Sequence, residues 1–182
     1  KGRFSRLVSV SSLTSKAVKS YNLTMRMGQA YFALRWAKGE AVVIHILVAA
    51  HAKVGVNILL GAEFILGKQE RTHSIEYQVG DNLNLLKMQF QEVFDGLGEE
   101  DSLLIFIDLY GGSLCNVAAS FMSKLSKRNA VRCECISGVN LPMVLYALEN
   151  RDREECGLVD LKEECLNVGL GGIRDIKAEF RL

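Results

Sequence analysis

The sequence predicts an α/β fold: a parallel sheet with helices on both faces. Three observations predict it. Short apolar or alternating runs take turns with longer runs of helical period from Val42 onward. Two short runs, Val42–Ala50 and Leu103–Ile107, are almost unbroken in apolar residues, as strands covered on both faces must be. Other short runs alternate apolar with polar residues, as strands with one covered face do.

Taken in order, Val42–Ala50 (VVIHILVAA) is β-branched and apolar, hence a buried strand that ends at His51. Val56, Leu59, Leu60 and Phe64 then recur at helical spacing, and Gly67 stops the helix. Ile75, Tyr77 and Val79 alternate with Ser74, Glu76 and Gln78, giving a half-buried second strand. Leu86, Phe90, Val93, Phe94 and Leu97 mark a second helix, closed by Gly96 and Gly98. Leu103–Tyr110 is the third strand, and Ser113 caps a helix with Val117, Phe121, Met122 and Leu125 on its apolar face. Val131, Cys133 and Cys135 form a fourth strand that ends at Gly138. Pro142 fits the first turn of a helix carrying Leu141, Val144, Leu145 and Leu148, since a missing N–H costs little there. Leu158–Val168 reads as a last helix. After Gly171–Gly172, the strict alternation of Ile176, Ala178, Phe180 and Leu182 predicts a terminal half-buried strand.

The unbroken runs belong inside the sheet and the alternating ones outside, which gives the parallel order 2-1-3-4 of a flavodoxin-like, doubly wound sheet. Its switch point lies between strands one and three. His51 and Asp108 stand at the carboxyl ends of those strands, so topology brings an imidazole and a carboxylate to one crevice.

Composition bounds the chemistry. The chain has 182 residues, 49% of them apolar and 24% charged, with a net charge of +1. That is one domain with room for a substantial core. His45 and Lys53 interrupt the longest apolar candidate for a membrane span. Five cysteines without a CxxC pair point to reduced thiols rather than to a disulfide framework or a zinc site. Cys133 and Cys135 share one strand face, where packing is the expected role. Charge is uneven: Lys1–Glu40 holds eight Lys/Arg and one Glu, a net of +7, and the remainder has a net of −6. The serine-rich basic segment has the composition of a transit peptide or a nucleic-acid-binding arm. The plainer reading is an extension with little order, or residues ahead of the natural start, with Met25 and Met27 as candidate starts. No function and no nucleic-acid partner are assigned to it.

An imidazole oriented by a carboxylate can serve as base, metal ligand or nucleophile. Gly111–Gly112–Ser113 at a helix start offers backbone N–H groups, a positive dipole end and a hydroxyl, which suit a phosphoryl group. A histidine nucleophile beside an anion cradle points to phosphoryl transfer through phosphohistidine, with Asp108 holding one ring nitrogen and leaving the other to attack. Such chemistry needs no cofactor, and the pattern offers no second His or Cys for a metal. Each residue also has a plain reading. A histidine at a strand end is usually a polar surface residue, Asp108 could cap a loop, and Gly111–Gly112 could be a turn. His45 and His73 read as structural. Convergence of His51, Asp108 and Ser113 at one crevice favours the chemical reading.

The motif FIDLYGGSLCN (Phe106–Asn116), followed by SGVNLPM (Ser137–Met143), resembles the mannose-type IIA component of the bacterial sugar phosphotransferase system. The resemblance runs from about Val42 to the C-terminus. It implies a IIA domain over 41–182, with 1–40 outside it. It also implies that His51 takes a phosphoryl group from the phosphocarrier HPr and hands it to a IIB component, which serves the membrane IIC and IID components. Asp108 would orient the imidazole, Gly112 and Ser113 would hold the phosphoryl group, and Gly138, Val139, Asn140, Leu141 and Pro142 would form an adjoining wall. A cytoplasmic homodimer that exchanges a C-terminal antiparallel strand is implied as well. The chain departs from the family pattern at Ala52, where glycine is usual beside the histidine, and at Leu114, where proline usually follows GGS. A degenerate or regulatory paralogue that binds partners without turnover is the alternative. A phosphoaspartate receiver shares the strand order, but it needs an acidic pair at the end of strand one, and Val48–His51 has none. The sugar is not legible.

Overall fold

The computed structural model describes residues 43–98, 101–127, 132–153 and 157–182. The basic segment 1–40, Val42, Val131 and Cys156 lie outside the described residues. Four strands, β1 (Ile44–His51), β2 (Thr72–Tyr77), β3 (Ser102–Ile107) and β4 (Arg132–Ser137), pair in the order β2-β1-β3-β4. All three pairings are parallel, so the predicted doubly wound sheet is the observed one.

The helices are α1 (Val54–Leu66), α2 (Leu83–Asp95), α3 (Ser113–Lys127), α4 (Leu141–Asn150), α5 (Leu158–Gly171) and the one-turn α6 (Ile176–Glu179). Side-chain alternation along β1 and β3 sorts the core into two layers. Ile44, Ile46, Val48, Leu104 and Phe106 pack under α1, α4 and α5. Leu47, Ala49, Leu103, Ile105 and Ile107 pack under α2 and α3. The two central strands are therefore covered on both faces, as their unbroken apolar runs require.

Local chemistry explains the helix ends. The Asn82 side chain accepts from the N–H groups of Asn84 and Leu85 at the start of α2. Asn140 accepts from Met143 N–H at the start of α4, with Pro142 in the first turn. Cys133 and Cys135 lie part-buried against the second core layer, and burial pushes both thiols up to about 12. They are packing groups and remain protonated at neutral pH.

Two expectations need correction. The face of α1 that meets the sheet is Gly55, Leu59 and Ala62, whereas Leu60 and Phe64 point outward and Phe64 is 91% exposed. The helix is apolar nearly all round, so its period does not choose a face. Contact distance does: a Cβ on Gly55 would stand 2.9 Å from the Val48 carbonyl oxygen, and only small residues fit that approach. The C-terminal stretch is also not a strand. Residues Ile176–Glu179 form a helical turn capped by Asp175, whose carboxylate accepts from Ala178 N–H at 3.1 Å. Alternation selects a strand only where a strand edge is at hand to pair with. In this chain the stretch pairs with neither open edge of the sheet, β2 or β4, the local cap prevails, and Ile176, Phe180 and Leu182 are exposed.

Candidate active site at the carboxyl ends of β1 and β3

β1 and β3 are neighbours in register, with Ala49 opposite Ile107, so His51 and Asp108 emerge side by side just past the pairing. Asp108 grips His51 twice. Its Oδ2 accepts from the His51 backbone N–H at 2.8 Å, and its carboxylate oxygens lie 3.0 and 3.1 Å from Nδ1. A carboxylate accepts and cannot donate when ionised, so Nδ1 carries the proton and Nε2 keeps its lone pair. The imidazole is 41% exposed and the carboxylate 17%. An anchored ring with an open second nitrogen is the geometry that a nucleophilic histidine needs.

The turn after Asp108 supplies the next part. Gly111 sits at φ +79°, a left-handed conformation that glycine adopts without steric cost. The first bond of α3 runs from Asn116 N–H to the Gly112 carbonyl at 3.1 Å. Gly112 thus holds the cap position that the sequence suggested for Ser113, and Ser113 is the first helical residue. The N–H groups of Ser113, Leu114 and Cys115 have no acceptor inside the helix, so the positive end of α3 is turned toward this crevice. Gly112 lies against the imidazole: a Cβ there would stand 3.8 Å from His51 Cε1. Any side chain would begin to fill the space beside the open nitrogen. Leu114, where the family pattern has proline, is buried in the second core layer and holds α3 down by packing instead.

The segment Gly138–Pro142 is fixed next to the strand that delivers Asp108. Val139 N–H donates to the Ile107 carbonyl at 3.1 Å, and Gly138 turns the chain at φ +82°. Asn140 and Pro142 are tied to the far side: Asn140 Nδ2 donates to the Gly169 carbonyl at 3.0 Å, and Pro142 packs against Gly172. Their contacts explain how the loop is held.

One residue at this site escaped the sequence reading. Tyr77 ends β2 opposite His51 in the register, and its ring meets the imidazole edge-on at 5.7 Å and 69°. Strand-end parity was the signal, but it becomes usable only once the register of β2 against β1 is known. Ala52 follows the histidine at φ +50°, with its N–H donating to the Tyr77 carbonyl at 2.9 Å. A groove of about 530 Å³ lined by Ser74, Glu76, Gln78, Asp81, Leu85 and Gln89 runs beside β2 and includes none of the predicted site residues. At the site itself the His51 imidazole is reachable from solvent.

Comparison with known proteins agrees with this arrangement. The family profile described as PTS system fructose IIA component (EIIA-man) matches residues 45–161. The mannose-specific EIIAB component of Escherichia coli is 28% identical over 136 residues, covering 75% of this chain and 40% of that protein. The fructose-specific EIIA component of Bacillus subtilis is 25% identical over 118 residues, covering 65% of this chain and 76% of that protein. The chain therefore spans less than half the length of the mannose-specific relatives that it matches. The crystal structure of phosphotransferase system component EIIA from Streptococcus agalactiae superposes with a TM-score of 0.67 at 26% identity, covering 75% of this chain and 99% of that one. A family profile matched over most of the chain, on a sheet of the same order, places this protein in the IIA component family of the mannose and fructose sugar phosphotransferase systems.

Proposed function

We propose that the protein is a phosphocarrier: His51 accepts a phosphoryl group from phospho-HPr and passes it to a IIB component. The observation that carries this reading is the Nδ1–Asp108 hydrogen bond, which leaves Nε2 as the attacking atom. In the forward step the Nε2 lone pair forms an N–P bond as the N–P bond of the donor phosphohistidine breaks. The electron pair of the broken bond returns to the donor ring, the Nδ1 proton stays on the His51 ring with Asp108 accepting its hydrogen bond, and no water is consumed. Asp108 stabilises the positive charge that grows on the ring. Gly112, Ser113 and the start of α3 receive the phosphoryl oxygens, and Gly138–Pro142 forms the wall beyond. In the second step a IIB histidine attacks the same phosphorus from the opposite side.

The reading includes a IIA domain over 41–182, a cytoplasmic location and a homodimer. Among the described residues no helix is long and apolar enough to cross a membrane. Ile173, Ile176, Phe180 and Leu182 offer a second copy exposed apolar surface. The deciding experiment incubates the chain with radiolabelled phospho-HPr and measures acid-labile phosphate. About one phosphate per chain, lost in His51→Ala, supports the proposal. No label, or label undiminished in the variant, overturns it.

One observation favours a second reading. Ala52 holds a left-handed conformation that alanine disfavours, directly beside the nucleophile. A chain whose turnover had been given up for partner binding would tolerate that. Partner binding that persists in His51→Ala, with no phosphate uptake by the wild type, distinguishes it.

A further inference from the structure

At the opposite end of the sheet from His51, three side chains form a second histidine–carboxylate array. His45 is the second residue of β1, His73 the second of β2, and Asp101 immediately precedes β3. His45 Nε2 lies 3.3 Å from Asp101 Oδ2, and His45 Nδ1 lies 3.0 Å from His73 Nε2. The ring centroids are 5.3 Å apart and the planes differ by 16°. That separation is the 3.0 Å contact lengthened by little more than one ring radius at each end. The rings are therefore in line and nearly coplanar, which is the geometry of an N–H···N hydrogen bond rather than of face-to-face stacking. It is also not the geometry of a metal pair, whose lone pairs would converge on a point off that line.

We propose that Asp101, His45 and His73 form a relay that binds one proton and opens when it is asked to bind a second. At neutral pH the hydrogen bonds run one way: His73 Nε2–H donates to His45 Nδ1, and His45 Nε2–H donates to Asp101. One added proton is accommodated. It sits on His73 Nδ1, or on His45 Nδ1 if His73 changes tautomer, and the link holds in either case. A second proton puts two N–H groups face to face at the 3.0 Å contact. Neither has an acceptor, so the rings must part.

The surroundings fit that limit. His45 is 13% exposed and Asp101 20%. Asp101 favours a proton on His45, while Arg71 at the start of β2 and Arg151 at the end of α4 oppose it. Arg71 is held by Asp152, and Arg151 donates to the carbonyls of Glu70 and Arg71. For His73 the facing charge is His45 itself. The relay therefore fastens the start of the edge strand β2, whose far end sets Tyr77 against His51.

The test is imidazole NMR on the full chain, whose three histidines are His45, His51 and His73. Between about pH 8 and pH 5, the range in which imidazoles titrate, His45 and His73 should move together through one shared one-proton step. At lower pH the protection factors of the β2 amides, each taken against the intrinsic rate at that pH, should fall roughly tenfold, as local opening requires. In His73→Gln the opening should vanish, because the amide can turn to donate to neutral His45 or to accept from charged His45. Two independent one-proton titrations overturn the proposal. So does acid opening of β2 that persists in His73→Gln. Should that variant not fold, the wild-type titration alone decides.

Discussion

The two ends of β1 each pair a histidine with a carboxylate from the neighbourhood of β3, and the pairs have opposite chemistry. At the carboxyl end, Asp108 occupies Nδ1 of His51, and the other nitrogen faces an open platform beside the start of α3. At the amino end, Asp101 occupies Nε2 of His45, and His73 occupies Nδ1. The residue types are the same. What separates a candidate nucleophile from a structural link is a vacant lone pair and an anion cradle within reach of it. A histidine–carboxylate pair alone does not make an active site.

The sharpest way to break that comparison is to delete each histidine in turn. His51→Ala should abolish phosphate uptake from phospho-HPr, and His45→Gln should leave its stoichiometry unchanged. Phosphate counting after acid and neutral quenches checks both. Loss of uptake in His45→Gln, with the fold intact by circular dichroism, would collapse the distinction. Next in size is Asp108→Asn. The neutral amide still fills the space but no longer fixes the Nδ1 proton or offsets the growing ring charge. Transfer should slow at least roughly 10- to 100-fold, the range found when a metal-ligating histidine loses the carboxylate hydrogen-bonded to it. Rapid-quench kinetics measure it, and an unchanged rate would leave Asp108 with only its bond to the His51 backbone.

This contrast also shows what the sequence could and could not tell. Strand order was legible because burial on two faces demands unbroken apolar runs, and β1 and β3 have them. The order in turn placed His51 beside Asp108 without knowledge of any contact. The His45–His73 link was not legible, because it depends on the register in which Leu47 pairs with His73 and no local pattern encodes that. Tyr77 was missed for the same reason. The covered face of α1 was misread because Leu60 and Phe64 look like core residues by type, while the close approach at Gly55 excludes them. The terminal strand failed differently: period two records a preference, but a strand also needs an edge to pair with.

The amino end should show itself in the pH dependence of stability. His45 and His73 are both held below their usual 6.5, in each case chiefly by burial. Below that pH the unfolded chain takes up protons that the folded chain resists. The stability from keeping these rings neutral is thus complete above about pH 6.5 and declines as pH falls from there toward the folded values. Denaturant midpoints measured from about pH 8 downward should drop in the wild type. The drop should be shallower in His73→Gln, which has one fewer ring to charge. Equal slopes in the two proteins would mean that the relay does not govern acid sensitivity.

The smallest expected effect lies at the carboxyl end, in the backbone rather than in a titrating group. Ala52 sits at φ +50°, a conformation that costs an L-residue about 1–2 kcal/mol relative to its right-handed form. Glycine would remove that cost but would add unfolded-chain entropy of about 0.4–1 kcal/mol. Ala52→Gly should therefore raise stability by only about 0.5–1 kcal/mol. A flat or negative result in urea denaturation would mean that the alanine methyl makes packing contacts worth as much as the strain. The kinetic consequence is more informative. The Ala52 N–H bond to the Tyr77 carbonyl fixes the chain that leaves His51, and Tyr77 packs against the ring. If alanine holds the imidazole more rigidly than glycine would, Ala52→Gly gains stability yet transfers phosphate no faster. If the left-handed alanine displaces the ring from its best position, stability and transfer rate rise together. The pair of measurements thus tells whether the departure at Ala52 restrains the nucleophile or misplaces it.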